Sequence, residues 1–228
     1  MPLTREQKLD QLARGDAAFD VVVIGGGITG AGIAREAAGS GLSTLLVEQR
    51  DFSWGTSSRS SKMIHGGLRY LGSGHFRLTR DAVRERERLL AEAPGLIDPL
   101  RFIIPHYQKQ FPGPKLFQLL LRLYDRLAGK PFRQRLSPVE TLQWVPGLST
   151  KHLTGASGFT DAVTDDSRLV QRVLAEAEAD GAICLNYMEA QAVLRNSETN
   201  AVTGVRLLDT SKEAQTQELV VNTLLVIN

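Results

Sequence analysis

The sequence predicts an α/β fold that opens with a strand, a glycine-rich turn, a helix and a second strand. Residues 19–24 (FDVVVI) are mostly β-branched, which is typical of a buried parallel strand. After the glycines, residues 28–38 are small and compatible with a helix, and residues 43–48 again resemble a strand. These elements lie within about 30 residues and form a βαβ unit, so we expect a parallel sheet covered by helices.

Capping signals and hydrophobic periodicity predict the remaining elements. Thr4 and Gln7 match a capping box, so residues 1–16 predict a short leading helix closed by Gly15. Further helices are expected at 79–93, at 115–128 and at 166–180, where Gly181 closes the last one. We expect an ordered loop at 51–75, a strand at 101–107, a Pro- and Gly-rich segment at 129–158, and short strands near 182–187, 190–195, 201–208, 217–221 and 223–227, with turns at 196–200 and 209–215.

Composition limits the classes of protein and partner. The chain has 228 residues and a net charge of only +2, so no nucleic-acid partner is expected. Basic side chains outnumber acidic ones between Arg69 and Arg135, which indicates either a local anionic partner or a solvated charged face. The single cysteine, Cys184, excludes an internal disulfide and fits a reducing compartment. No apolar run approaches the ~20 residues of a membrane span, so we expect a cytoplasmic protein with peripheral membrane attachment left open.

The glycine turn predicts a dinucleotide site. Gly25, Gly27 and Gly30 fit the pattern G-x-G-x-x-G, with Ile28 and Thr29 opening the helix whose N–H groups would hold a pyrophosphate. Glu48 closes the second strand and Gln49 follows it; an acidic side chain there accepts hydrogen bonds from ribose hydroxyls.

The C-terminal strands distinguish between the two dinucleotides that use this turn. FAD and NAD both bind to such a fold. A β-meander at 190–221 followed by a returning strand at 223–227 is typical of Rossmann-type FAD domains of the glutathione-reductase kind, in which the meander crosses the sheet. We therefore predict FAD.

One segment carries a family resemblance. Residues 55–71 read GTSSRSSKMIHGGLRYL and resemble the T-S-S-x-S-S-K-x-I-H-G-G-L-R-Y-L segment of FAD-dependent glycerol-3-phosphate dehydrogenases. Residues 165–169 (DDSRL) and 226–228 (VIN) resemble two further motifs of that family. Glu36, Ser40 and Phe159 depart from the family pattern, which usually has Asp, Arg and Tyr there.

The resemblance implies a non-covalent FAD, no metal, and a set of site residues. Hydroxyls and a cation would hold the pyrophosphate and ribityl groups, and a glycine pair would approach the flavin ring. The implied cofactor residues in this segment are Thr56, Ser57, Ser60, Lys62, Met63, His65, Gly66, Gly67 and Leu68. His65 is the one candidate catalytic residue; the alternative is a loop histidine that only orients its neighbours. Asp165 and Asp166 are interpreted as helix caps.

The resemblance also implies a substrate and a reaction. Arg69 and Tyr70 are assigned to the substrate phosphate, with a structural ion pair as the alternative role of Arg69. The implied reaction oxidises sn-glycerol 3-phosphate to dihydroxyacetone phosphate and passes electrons through FAD to a membrane quinone. A related amine or 2-hydroxy acid oxidoreductase and a non-catalytic remnant remain as alternatives. An apolar stripe with flanking cations at 115–135 predicts either peripheral membrane contact or packing within the substrate domain.

The expected domain organisation is discontinuous. Residues 17–70 and 159–228 would form the FAD domain, and residues 71–158 a helical insertion that begins the substrate or cap domain. The family's proteins are about twice as long as this chain, so the resemblance implies a truncated form that lacks the general base and part of the substrate pocket.

Overall fold

The computed structural model describes residues 3–14, 18–211 and 217–228. The chain divides into two compact units, one formed by Met1–Ser60 with Asp165–Asn228 and the other by Ser61–Thr164. The second unit extends beyond the expected insertion, residues 71–158, at both ends. The second unit is longer because Met63 and Ile64 pair with Val163 and Ala162 inside it.

The elements are as follows. The helices are α1 (Arg5–Ala13), α2 (Ile28–Gly39), α3 (Leu68–Gly72), α4 (Phe76–Glu92), α5 (Pro114–Ala128), α6 (Pro138–Trp144) and α7 (Asp166–Ala179), with a 3₁₀ turn at Thr56–Ser58. The strands are β1 (Ala18–Ile24), β2 (Thr44–Val47), β3 (Met63–Ile64), β4 (Ile97–Tyr107), β5 (Gln134–Leu136), β6 (Leu153–Thr164), β7 (Ile183–Leu185), β8 (Met188–Arg195), β9 (Val202–Asp209) and β10 (Gln217–Ile227).

A six-stranded mixed sheet organises the first unit, in the order β7-β2-β1-β10-β9-β8. Strands β7, β2, β1 and the second half of β10 are parallel, and β8 and β9 are antiparallel. The two separate strands expected at 217–221 and 223–227 are one strand: β10 pairs with β9 through residues 217–222 and with β1 through residues 222–227. The α/β prediction is confirmed.

Two apolar clusters cover the faces of this sheet. On one face, side chains of α2 and α7 pack against β1 and β2, and Cys184 lies among them. Burial raises the pKa of Cys184 to about 12, as expected for a small buried hydrophobe. On the other face, Val205, Leu207 and Val221 of the meander pack against Val22 and Leu45. The strands of the meander, β8 to β10, are hydrogen-bonded members of this same sheet, next to β1.

The N-terminal helix has the predicted cap. The Thr4 side chain accepts from the Gln7 backbone and the Gln7 side chain accepts from Thr4, so both bonds of the capping box form. Gly15 and part of the expected turn at 209–215 lie outside the described residues.

The second unit contains an antiparallel sheet that the helical prediction omitted. Strand β6 is central, with β4 along one side and both β3 and β5 along the other. The segment 129–158, read as Pro- and Gly-rich, in fact contains β5, α6 and the start of β6. A capping box between Ser137 and Glu140, with Pro138 at the first helical position, was a local signal for α6.

The apolar stripe of α5 packs mainly within its own unit. Leu123 and Leu127 contact a buried cluster around Tyr124, and Leu120 lines a cavity. These three leucines therefore take the packing alternative, whereas Leu116 and Leu119 are exposed. In the part of the chain that is described, no helix is long and apolar enough to cross a membrane.

Candidate functional site

The glycine turn between β1 and α2 has the geometry that its sequence predicts. Gly25 adopts φ 115°, a conformation that L side chains rarely adopt. A Cβ on Gly30 would lie 1.9 Å from the carbonyl oxygen of Gly25, so this position needs glycine for the helix to meet the turn. Gly27 is the N-cap of the 12-residue α2 and supplies no side-chain cap. The first N–H groups of the helix therefore lie at the turn, where a helix favours an anion.

Glu48 lies beside this turn as expected. Its Oε2 accepts a hydrogen bond of 2.8 Å from the backbone N–H of Gly26, and its Oε1 accepts one of 2.9 Å from the backbone N–H of Arg50. Each carboxylate oxygen has a second lone pair, so Glu48 can still accept from ribose hydroxyls. Gln49 follows on the exposed surface.

A cleft of about 220 Å³ opens at the turn. Its lining includes Gly25, Gly27, Ile28, Thr29, Gly30 and Ser57. Ser57 belongs to the group because its Oγ accepts from the Ile28 N–H at 3.0 Å, and a Cβ on Gly27 would lie 3.1 Å from the same oxygen. A backbone surface kept free of side chains at a helix N-terminus, with an acidic side chain nearby, fits the pyrophosphate and ribose of a dinucleotide.

The other hydroxyls of the 55–71 segment are placed differently. Thr56 is exposed and, like Ser60, does not line the described cleft. Ser60 donates to Asp166 at 2.6 Å, so the start of α7 holds it. Asp165 caps α7 by accepting from the Arg168 N–H at 3.1 Å, as its sequence position indicated.

The second unit contains a larger cavity of about 590 Å³, with mainly apolar walls. Five of the predicted residues line it: His65, Gly67, Leu68, Arg69 and Tyr70. The other walls are Gly72, Phe102, Pro112, Phe117, Leu120, Phe159 and Asp161. Lys62 and Met63 do not line this cavity; the carbonyl of Lys62 accepts from the Thr164 N–H, and Met63 pairs with β6.

Gly66 is buried beneath the cavity wall rather than at its surface. A Cβ there would lie 1.8 Å from the Tyr124 hydroxyl and 2.7 Å from a nitrogen of Arg86. Its N–H donates to Asp161 at 3.1 Å. The glycine pair therefore has two roles: Gly67, at φ 80°, turns the chain into α3, and Gly66 makes room for a buried polar cluster.

The structure bears on the ion-pair alternative for Arg69 and on the environment of Phe159, which departs from the family pattern. Among the described residues, no acidic side chain forms a salt bridge with Arg69, so the ion-pair alternative has no support. Phe159 stacks on Phe102 with ring centroids 5.2 Å apart and meets Tyr124 edge-on at 6.5 Å. The ring found where the family usually has Tyr is therefore packed as a wall of the cavity.

Sequence reasoning did not identify Asp161, Arg86 or Tyr124. The available signal was weak: Asp161 is the one charged residue of β6, and Arg86 occupies a position in α4 one turn after the buried Val83. Only the tertiary structure shows that these side chains meet.

Comparisons with known proteins agree with this geometry. Residues 20–224 match the family model described as FAD dependent oxidoreductase. A glycerol-3-phosphate dehydrogenase of Mycobacterium leprae is 42% identical over 207 residues, which cover 89% of this chain and 35% of that protein. An alpha-glycerophosphate oxidase of Streptococcus pyogenes is 36% identical over 231 residues, covering 99% of this chain and 37% of that protein.

Solved structures give the same result. The glycerol-3-phosphate dehydrogenase of Bacillus halodurans, complexed with FAD, is 30% identical with a TM-score of 0.68, and the match covers 97% of this chain and 36% of that one. The chain thus spans about a third of the length of the curated relatives it matches, less than the half that the resemblance implied. The prediction of FAD is confirmed at the level of the family, and the chain belongs to the FAD-dependent oxidoreductase family.

Proposed function

We propose that this chain is the FAD-binding part of an enzyme that oxidises sn-glycerol 3-phosphate to dihydroxyacetone phosphate. The observation that carries the proposal is the shared cavity of the second unit: the Arg69 guanidinium, without a described salt-bridge partner, and the His65 imidazole line the same apolar walls. A planar cation suits a phosphate group, and an imidazole suits a hydroxyl proton. The similarity to glycerol-3-phosphate dehydrogenases supports the same substrate.

The proposed cofactor contacts fall into two groups. The nucleotide half of a non-covalent FAD would be held by Gly25, Gly27, Ile28, Thr29, Gly30, Glu48, Gln49, Thr56, Ser57 and Ser60. The flavin half would be held by Lys62, Met63, His65, Gly67 and Leu68, with Gly66 packed beneath the cavity wall behind them. The cleft at the glycine turn supports the first group, and the cavity lining supports His65, Gly67 and Leu68 in the second.

The residues of the cavity would bind and orient the substrate. Arg69, with Tyr70 beside it, would hold the phosphate, while Phe102 and Phe159 exclude water from the carbon that reacts. Oxidation removes two hydrogens and two electrons from the alcohol. A hydride, which carries both electrons, leaves C2, and a proton leaves the C2 hydroxyl. When bound, FAD supplies the acceptor for the hydride. The resemblance implied a general base outside this chain. Because His65 lines the cavity, it is the proposed acceptor of the hydroxyl proton instead.

We further propose that the electrons pass to quinone and that the protein contacts the inner face of the cell membrane. Three exposed apolar side chains near the start of α5 support a peripheral contact: Phe111, Leu116 and Leu119. Lys115 and Arg122 are exposed on the same helix and would face anionic lipid headgroups.

A substrate screen tests the proposed function. We suggest a chimera in which this chain is continued by the C-terminal two thirds of the Mycobacterium leprae relative, loaded with FAD. We expect dye reduction with glycerol 3-phosphate and none with glycine, sarcosine or 2-hydroxyglutarate. Turnover of one of the other three compounds instead would favour an amine or 2-hydroxy acid oxidoreductase. A chain that binds no FAD would favour the non-catalytic remnant.

A further inference from the structure

A buried ionic cluster lies behind the cavity wall of the second unit. It joins Asp161 of β6, Arg86 of α4 and Tyr124 of α5, whose side chains are almost entirely buried. The Asp161 Oδ1 atom accepts from Arg86 Nη1 at 2.6 Å, from the Tyr124 hydroxyl at 2.6 Å and from the Gly66 N–H at 3.1 Å. Arg86 also donates to the Tyr124 oxygen at 2.7 Å. Three donors therefore fix one oxygen of this carboxylate.

The second oxygen of Asp161 points towards His65. Its Oδ2 lies 3.6 Å from His65 Nδ1, and the His65 side chain is about half exposed and lines the cavity. This separation is longer than a hydrogen bond, but catalytic hydrogen bonds are often long before a substrate binds and shorten afterwards. Because Nδ1 faces Asp161, the opposite nitrogen of the ring, Nε2, is the one left for a ligand.

We infer that Asp161 is a positioning residue that keeps the proton of His65 on Nδ1, so that Nε2 can accept a proton from a substrate hydroxyl. Arg86 and Tyr124 hold the carboxylate in place through the hydrogen bonds that they donate to its Oδ1 atom. The inference rests on the proposed function for the identity of the hydroxyl. The arrangement of Asp161 and His65 is independent of it.

A purely structural role of the cluster leads to a different expectation. If the cluster only ties β6 to α4 and α5, the tautomer of His65 does not depend on Asp161. If Asp161 positions His65, then Asp161→Asn should reverse the tautomer. The three donors around Oδ1 require an acceptor, so the new amide oxygen takes that place and its NH₂ group faces Nδ1. A donor facing Nδ1 favours the proton on Nε2, as the equivalent exchange does in the Ser-His-Asp triad.

The test is nitrogen NMR of the chain with labelled histidine, without FAD or substrate, at a pH where the imidazoles are neutral. We expect the Nδ1–H form to predominate at His65 and the Nε2–H form to predominate in Asp161→Asn. His106 is the internal control, because it is buried in the same unit and its Nε2 lies 2.7 Å from the Ser157 hydroxyl, outside the cluster. Unchanged His106 signals show that the unit remains folded.

Two results would overturn the inference. One is an Nε2–H tautomer at His65 of the unsubstituted chain. This measurement needs no variant, so it tests the inference even if Asp161→Asn does not fold. The other is an unchanged tautomer in a folded Asp161→Asn variant. In the FAD-loaded chimera, the substitution should lower kcat about a hundredfold or more and leave KM nearly unchanged. Because the NMR readout needs neither FAD nor glycerol 3-phosphate, a wrong substrate assignment would leave its outcome unaffected.

Discussion

Gly66→Ala should destabilise the second unit strongly although it adds only one methyl group. The new Cβ would lie 1.8 Å from the Tyr124 hydroxyl and 2.8 Å from the adjoining ring carbon. Tyr124 would have to withdraw and give up its bonds to Arg86 and Asp161. Hydrogen bonds to charged groups contribute about 1.5–3 kcal/mol each, and overpacking costs about 1–3 kcal/mol. We therefore expect the free energy of unfolding to fall by at least about 3 kcal/mol.

The assay is hydrogen exchange measured by mass spectrometry on peptides from β4, β6 and α5, which reports on the second unit alone. Gly72→Ala is the matched control, because no atom lies within 4 Å of a Cβ at that helical position. It should change stability by less than about 1 kcal/mol, in the stabilising direction. Adding Tyr124→Phe to Gly66→Ala should cost much less than the sum of the two single changes. Equal exchange protection in Gly66→Ala and Gly72→Ala would refute the close contact between Gly66 and the Tyr124 hydroxyl.

Three further predictions follow from the two units. Gly27→Val should abolish FAD binding by filling the cleft beside Ser57, whereas Gly32→Ala, whose new Cβ meets no atom within 4 Å, should retain it. Flavin absorbance of the purified proteins measures binding, and a yellow Gly27→Val variant would contradict the prediction. Burial lowers the pKa of His106 in the folded state below its unfolded-state value of about 6.5. The contribution of His106 to folding stability is therefore fully present above that unfolded-state pKa and is lost as the pH falls through the folded-state pKa. Exchange protection of the second unit should therefore decline as the pH falls below about 6.5, and more steeply than in His106→Gln; equal slopes would count against it. The isolated chain should not oxidise glycerol 3-phosphate, because misplacing the reacting groups by about one ångström can lower the rate about a hundredfold. Turnover within tenfold of the chimera would contradict this prediction.

Local signals were enough to predict the nucleotide-binding elements. The β-branched run of β1, the glycines of the turn and the cap of α7 each constrain only a few neighbouring residues, and all three lie where the sequence placed them. The position of Glu48 beside the turn could be predicted for the same reason, because strand β2 ends directly before this residue.

Long-range pairing decided what the sequence did not predict. Strand β6 contains Gly155 and Gly158, which weaken any local strand signal, and it forms because β4 pairs along almost its whole length. The role of Gly66 depends on Arg86 and Tyr124, which are 20 or more positions away in the sequence. The bond from Ser60 to Asp166 joins residues 106 positions apart, so the motif alone could not show how that hydroxyl is oriented.

The most direct test of the proposed function is anaerobic bleaching of the flavin absorbance band by glycerol 3-phosphate in the FAD-loaded chimera. We compare the unsubstituted protein with Arg69→Met, which removes the cation of the cavity, and with Arg77→Met, an exposed arginine that does not line it. The loss of a charged contact to phosphate should weaken the binding of glycerol 3-phosphate about tenfold or more in Arg69→Met. Arg77→Met should behave like the unsubstituted protein. Equal bleaching in all three proteins, or bleaching by glycerol as readily as by glycerol 3-phosphate, would contradict the assignment of this cavity to a phosphate-bearing alcohol.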